Sequence, residues 1–497
     1  RRESGRYPEP VPPPDQPPAG SADLPTIVLV VFDTARWDRF GCYGYDRPTT
    51  PTVDALAADG LRVETMIANG PWTLPSHGSL FTGLYPSQHG SQWQTGPGLR
   101  DGARPTLAEW LRGIGYDTWC VTNNGLISER TGLTRGFDHY AFRLDVERGW
   151  RRAARRIPKA MFGGDSGGRI VNRWMRRRLP EARKPLFLFV NYLECHWAYA
   201  PPRKLARRMH ASRYGPVKGL RYRLRTAARV GPWEAVARAG TDDLDVLSTY
   251  YDGELANADR HLAELLDILR STGHVADDGR ALVMVTSDHG EHLGEHRASG
   301  EPGGHHGLAD HHASVDDHLI RVPFVAWGPG LVPRGDRGGM YELVDVFASI
   351  ARFLGRQPPA DHLEGRRRDL LSATRDSFGE EYAFAEWRAW TERERARLAV
   401  RNPSYDFAGL ARDLVAARDR RFKLVRTSDG AEALYDTAND PLEQTDLSGV
   451  RVETVKRLRE QLDMALASWE RWDRPAEPPT PEQQAEIEQR LSELGYI

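Results

Sequence analysis

The sequence predicts an α/β fold: a sandwich with a large, mostly parallel sheet between helices, followed by a small C-terminal α+β subdomain. Three observations predict it. Continuous apolar runs rich in β-branched residues recur between residues 25 and 375, the pattern of strands buried on both faces. Helix-period stretches lie between those runs, and strands alternating with helices call for parallel pairing through crossovers. Beyond residue 375 the runs become short and closely spaced, the texture of an antiparallel sheet.

Taken in order, residues 1–24 (RRESGRYPEPVPPPDQPPAGSADL) are too rich in proline for helix or ladder and read as an extended tail. Order begins with Thr26–Phe32 (TIVLVVF), a strand that ends at Asp33. Further strands are expected over 118–122, 185–193, Ala281–Thr286 and 322–327. The clearest helix spaces Leu247, Tyr251, Leu255, Ala258, Leu262, Leu265 and Leu269 by steps of three and four, one apolar face that stops before Gly273. Residues 145–184 and 202–240 are rich in arginine and short of apolar periodicity. They read as solvated segments capping the core, or as a rim that attracts anions. The catalytic α/β domain is set at 25–375. The C-terminal subdomain is set at 376–497, with strands over 382–387, 422–425 and 432–435 and a helix over 452–472.

Composition narrows the function. The 497 residues hold 68 Lys+Arg against 69 Asp+Glu, a net charge of −1. No global basic field exists to hold a nucleic acid or an anionic membrane, so neither is expected as a partner. No run of about 18 apolar residues is present, so no membrane anchor is expected. Cys42, Cys120 and Cys195 are odd in number and widely spaced, which argues against a disulfide framework or a zinc cluster. A reducing, cytoplasmic compartment is the expectation. The oligomeric state is left open.

Chemistry concentrates at strand ends, where open α/β sheets bind ligands. Asp33 ends one buried run and Asp288-His289 ends another, so these acids can converge on one cation; each alone also suits a helix cap or turn. Between them in sequence lies Asn69-Gly-Pro-Trp-Thr-Leu-Pro-Ser-His-Gly-Ser-Leu-Phe-Thr-Gly83. Pro75 suits a first helical turn and Gly83 a helix end. Thr73 would then sit at a helix N-terminus, where amides and dipole favour an anion, or else act as a plain N-cap. Half of the 16 histidines fall between 289 and 318: His289, His292, His296, His305, His306, His311, His312 and His318. Such clustering suits a metal or anion site, and individually also a polar loop.

These residues resemble the sulfatase branch of the alkaline phosphatase superfamily. The run from Asp33 to Tyr45, with Thr49-Thr-Pro-Thr-Val-Asp-Ala-Leu56 after it, is similar to the family's first metal-ligand strand and helix. Thr73-Leu-Pro-Ser-His-Gly-Ser-Leu-Phe-Thr-Gly83 is similar to its nucleophile signature. Gly136-Phe-Asp138, Tyr192-Leu-Glu-Cys-His196, Thr286-Ser-Asp-His-Gly-Glu291, Val322-Pro-Phe324 and Leu434-Tyr-Asp436 resemble further landmarks. The resemblance implies an alkaline-phosphatase-like sandwich and one divalent cation held by Asp33, Asp288, His289 and the Thr73 oxygen. Carboxylates with an imidazole favour Mn²⁺ or Zn²⁺, with Ca²⁺ suited less well.

Three positions depart from the family pattern. Sulfatases carry Cys or Ser where this chain has Thr73, and oxidising threonine would give a ketone, so no formylglycine is expected. The signature arginine is replaced by His77, and a second early aspartate by Thr34. The departures resemble, in part, phosphonate and phosphodiester hydrolases and lipoteichoic-acid-synthase-like transferases. A plain threonine oxygen must be released by a second displacement at the same centre, which suits phosphorus better than sulfur. The expected activity is therefore metal-dependent hydrolysis of a small anionic phosphate ester (phosphodiester, phosphonate monoester or phosphomonoester) through a phospho-Thr73 intermediate. The alternatives are a sulfatase working without formylglycine, a phosphotransferase to an organic acceptor, and a metal-binding scaffold without turnover. The resemblance further gives His196 and His311 roles on substrate oxygens or the leaving group. His77 is expected to orient Thr73 or bind the anion, Arg36 to pair with a ligand carboxylate near the substrate, and Asn123 to donate to the substrate. His292 or His306 would be needed for a second metal. Residues 145–184, 202–240, 296–310 and 388–420 are expected to shape the pocket.

Overall fold

A computed structural model describes residues 24–92, 98–99, 104–142, 164–197, 199–209, 241–276, 280–295, 311, 313–359, 368–372, 381–401 and 407–469. Residues 1–23 of the tail, all of 145–163 and 210–240, the 296–310 stretch with His306, and residues 470–472 of the expected last helix lie outside that set.

Among the described residues, nine strands form the main sheet: β1 Thr26–Phe32, β2 Leu61–Ile67, β3 Asp117–Thr122, β4 His139–Phe142, β5 Leu186–Tyr192, β6 Ala281–Thr286, β7 Arg321–Val322, β8 Phe324–Trp327 and β9 Gly335–Glu342. Their order is β4-β3-β5-β1-β6-β8-β2-β7, with β9 beside β2. The block from β4 to β6 is parallel throughout. The fold is the expected sandwich, and β1 shows why. Ile27, Leu29 and Val31 pack on one side with Leu74, Leu80 and Phe81. Val28, Val30 and Phe32 pack on the other with Leu255, Leu262 and Leu269 of the long helix Thr241–Ser271. A period of two in an all-apolar run feeds both layers at once.

The second half of the sheet departs from the sequence reading. The run at 322–327 is two strands, not one, because Pro323 has no N–H for the ladder. β8 runs antiparallel to β6 and to β2. β2, β4 and β9 carry too many polar residues to stand out as buried runs, and only pairing with neighbours makes them strands. In the C-terminal region β10 Ala383–Trp387, β11 Leu414–Arg418, β12 Phe422–Thr427 and β13 Glu432–Asp436 form an antiparallel sheet in sequence order. β11 falls inside 388–420, a segment expected to shape the pocket. The last helix is Val452–Ser468, and Trp469 is already extended, so it stops short of the expected residue 472. There the Trp469 ring stacks on Tyr85 at 4.2 Å.

The C-terminal sheet is fastened to the main one by buried charges. Arg418 of β11 grips Asp317, and Lys423 of β12 reaches Glu443 and the Val315 carbonyl. These contacts hold the segment that follows His311.

Candidate active site

β1 and β6 are neighbours, so their carboxyl ends place Asp33 and Asp288-His289 side by side. The strand ends are shaped by backbone as much as by side chains. Thr34 adopts a left-handed conformation, φ 60°, strained for a β-branched residue and typical of functional turns. That turn aims the Thr34 N–H at Asp288 Oδ1, 3.1 Å away, while its carbonyl accepts from the Tyr251 hydroxyl at 2.7 Å. Ser287 locks the other side, donating to the Phe32 carbonyl and accepting from the Ala35 N–H. Gly290 passes against the 318–319 backbone; a Cβ there would lie 1.8 Å from the His318 carbonyl oxygen.

Thr73 opens the helix Thr73–Thr82, whose end is the left-handed Gly83. The N-cap is Trp72 and makes no side-chain cap bond. The plain N-cap reading of Thr73 is thus set aside: it is the first helical residue, and its Oγ1 accepts from Asn124 Nδ2 at 3.3 Å. The same amide nitrogen donates to Asp33 Oδ2 at 2.7 Å, so one side chain ties nucleophile candidate to acid. Asn191 of β5 donates to that oxygen as well, at 3.0 Å. His77, one turn on, donates Nδ1–H to the Thr73 carbonyl at 2.9 Å and lies 3.5 Å from Asp288 Oδ2. Edges of Phe81 and Phe189 fix its ring.

Asp33, Asp288 and His289 bring one ligand atom each within 4.8 Å of the others. All three are fully buried. Among the described residues, Asp33 Oδ1, Asp288 Oδ2 and His289 Nε2 have no hydrogen-bond partner. Buried polar atoms are otherwise almost always satisfied, so three orphans around one point fit a cation. Tautomer agrees: His289 Nδ1–H donates to the Gly290 carbonyl at 2.9 Å, which leaves Nε2 as the lone-pair nitrogen a metal takes. Burial, and then the Asp33 charge, push the Asp288 carboxyl well above its usual range. Burial drives the His289 imidazole down to about 3 against the pull of Asp33, and lowers His77 in the same way. Two adjacent buried acids with neutral imidazoles form a site whose missing charge is positive.

His196 and His311 complete a row of rings. His311 stands 4.6 Å from His289 and 5.3 Å from His196, centroid to centroid. His292, proposed for a second metal, lies 3.4 Å from Asp316 and is not among the residues grouped with Asp33.

One assignment is corrected. Arg36 does not pair with Asp33 or Asp288. Its guanidinium is held by both Asp38 oxygens, by Glu295 and by the Glu291 carbonyl, and the side chain is 2% exposed. A guanidinium so enclosed braces the 291–295 loop rather than meeting substrate. Asn123 turns its carbonyl oxygen to the Leu193 N–H at 2.8 Å, while its Nδ2 is buried without a hydrogen-bond partner among the described residues, a donor still open to the expected substrate contact. Its neighbour Asn124 and Asn191 are the amides that donate to Asp33. Asn191 was legible in principle, as a lone amide inside the apolar run LFLFVNY, since a buried amide must find partners.

Comparison with known proteins agrees with this architecture. The family model described as Sulfatase matches residues 25–355. Steryl-sulfatase of Mus musculus is 26% identical over 439 residues, covering 74% of this chain and 68% of that protein. Two solved structures titled phosphonate monoester hydrolase superpose on most of the chain. That of Agrobacterium radiobacter has a TM-score of 0.65 at 22% identity, covering 89% of this chain and 95% of its own. That of Silicibacter pomeroyi has a TM-score of 0.66 at 20% identity, covering 92% and 98%.

Proposed function

Because this chain belongs to the sulfatase family of ester hydrolases, we propose that it hydrolyses phosphate esters (a phosphodiester, a phosphonate monoester or a phosphomonoester) with Thr73 as nucleophile. The observation that supports this most is the Thr73 hydroxyl at a helix N-terminus, tied through Asn124 to Asp33. Asp33, Asp288, His289 and the Thr73 oxygen would hold a divalent cation, Mn²⁺ or Zn²⁺ before Ca²⁺ given the imidazole. When bound, it supplies positive charge that lowers the proton affinity of the Thr73 hydroxyl and offsets that of the ester.

The chain's own groups do the rest. Asn124 Nδ2 holds Oγ1 in place, and His77 holds the first helical turn through the Thr73 carbonyl. Thr73 gives up its proton to solvent and attacks phosphorus in line. The bond from phosphorus to the ester oxygen breaks, and that oxygen takes a proton from His311 or His196. Water then attacks the phosphorus of phospho-Thr73, returning a proton to the histidine that gave one up, the bond to Oγ1 breaks, and the hydroxyl regains its proton from solvent. An unoxidised threonine favours phosphorus because its oxygen has no route to collapse to an aldehyde.

The family name and the steryl-sulfatase likeness support a second reading, sulfate ester hydrolysis without formylglycine. Aryl sulfate, phosphomonoester, phosphodiester and phosphonate assayed side by side, with Mn²⁺, Zn²⁺ or Ca²⁺ restored in turn, decide between them. Turnover confined to the sulfate would overturn the phosphate reading. Product identity with added alcohols separates hydrolysis from transfer to an acceptor.

A further inference from the structure

The helix Thr73–Thr82 is held at both ends from outside the site described above. Before it stands Asn69, fully buried and four residues ahead of Thr73. Asn69 Nδ2 donates to Glu342 Oε1 at 2.9 Å and to the Phe384 carbonyl at 3.0 Å. Its Oδ1 accepts from the Val344 N–H at 3.2 Å, and its backbone carbonyl accepts from the Glu386 N–H at 2.9 Å. These partners come from β9, from the start of the helix Asp345–Phe353, and from β10 of the C-terminal sheet. The amide can face only one way, since turning it over would set N–H against N–H and oxygen against two oxygens. Past the other end, Tyr85 gives its hydroxyl to Glu342 Oε2 at 3.0 Å. Ser87 gives its N–H and its hydroxyl to the Glu386 carboxylate, at 2.7 and 2.9 Å. The same two residues of β9 and β10 thus bracket the helix.

The path from Asn69 to Thr73 is short and tightly packed. Gly70 is wedged between the helix and β10: a Cβ there would lie 2.8 Å from the Pro75 ring and 3.5 Å from the Glu386 carbonyl oxygen. The Gly70 carbonyl accepts from Ser76 Oγ at 2.6 Å. Pro75 and Ser76 belong to the helical turn that Thr73 opens. We infer that Asn69, held by Glu342 and β10, is a positioning residue that sets where this first turn stands, and so how Thr73 Oγ1 meets Asn124. Displacing a reacting group by about 1 Å can cost about 10²-fold in rate, so a contact four residues away can govern turnover. The kinetic consequence rests on the Thr73 reading above; the structural one rests on geometry alone.

Two measurements on the full-length chain test it. Hydrogen–deuterium exchange reads the first turn without any substrate. Asn69→Ala should speed exchange in the Thr73–Thr82 peptide by about tenfold or more. Leu458→Ala, a cavity in the C-terminal core, should lower Tm yet leave that peptide as in the wild type. Unchanged exchange in Asn69→Ala, or equal exchange in both variants, would overturn the inference whatever the substrate. The second measurement is steady-state kinetics on the best ester class. Asn69→Ala should lower kcat by about 30-fold with KM within about threefold and bound metal unchanged. Asn69→Asp should lose more, because its carboxylate would face Glu342. Glu342→Ala should reproduce the loss, and Glu342→Gln should restore most of it, because a glutamine oxygen still accepts from Asn69. In a Thr73→Ala background, Asn69→Ala should add nothing. A rise in KM at unchanged kcat, or losses that multiply, would overturn it. Wild-type turnover in Thr73→Ala alone would sink the nucleophile reading, and the exchange measurement would still decide this one.

Discussion

Asp33, Asp288 and His289 at the tips of β1 and β6, and Asp165, Glu194 and His261 beside the long helix, are built from the same parts. Each is two acids and an imidazole with ligand atoms within 4.8 Å. In the second group His261 Nε2 lies 2.5 Å from Asp165 Oδ2 and 3.7 Å from Glu194 Oε1. The Gly167 and Arg169 amides donate to Asp165, and the Gly168 amide donates to Glu194. Burial works against a charged His261, yet the Asp165 hydrogen bond and the Glu194 charge raise its pKa, and Asp165 is held well below the carboxylate range. In the first group the imidazole is driven neutral and one acid is driven up. The same residue types therefore give an internal ion pair in one place and an unmet need for positive charge in the other. The difference lies in where the backbone donors point.

The largest effect should come at Thr73. Thr73→Ala is expected to lower kcat/KM by at least about 10³-fold with stability nearly unchanged, measured on the best ester. Asp288→Asn sharpens the contrast further. It should abolish retained metal by elemental analysis and cut turnover about 10²-fold or more. In chelated protein the same change should raise Tm by about 2 °C, because it removes a buried acid whose ionisation burial and the Asp33 charge oppose. A Tm that falls, as for an ordinary core lesion, would contradict the picture of unmet charge. Arg36→Leu should act as a broken brace, costing about 3–5 kcal/mol in a denaturant midpoint. A large KM rise at an unchanged midpoint would instead return Arg36 to the substrate.

His261→Gln should be the mildest, costing about 1–2 kcal/mol, and its pH dependence has a definite sign. A raised histidine pKa stabilises fully below the ordinary 6.5 and loses that contribution as pH rises through the folded value. A lowered acid stabilises above the ordinary 3.8 and loses it as pH falls. The Tm gap between wild type and variant should thus be wider at pH 5.5 than at pH 8.5, and an equal gap at both would deny the ion pair.

What the sequence made legible follows from burial. β1 and β6 are apolar on both faces and show as near-continuous runs, with β5 broken only by Asn191 and β3 short at Trp119–Val121, and the ends of β1 and β6 located Asp33 and Asp288. β2 and β9 alternate with polar residues, and β11 is a short run inside a charged stretch, so only tertiary pairing defines them. At the site, helix punctuation by Pro75 and Gly83 placed Thr73. What the sequence could not give was rotation about side-chain bonds. It left Asn123 and Asn124 equivalent, although one faces the Leu193 amide and the other Asp33. It also left Arg36 a choice among acids, and packing settled that choice on Asp38 and Glu295.

The most direct measurement is covalent trapping. Wild-type protein with its preferred divalent ion is mixed with a phosphate ester, quenched in acid during turnover, and mapped by peptide mass. The account predicts a phosphoryl group on the peptide bearing Thr73, absent from Thr73→Ala. Steady turnover with that peptide unmodified, and with Thr73→Ala still active, would contradict it.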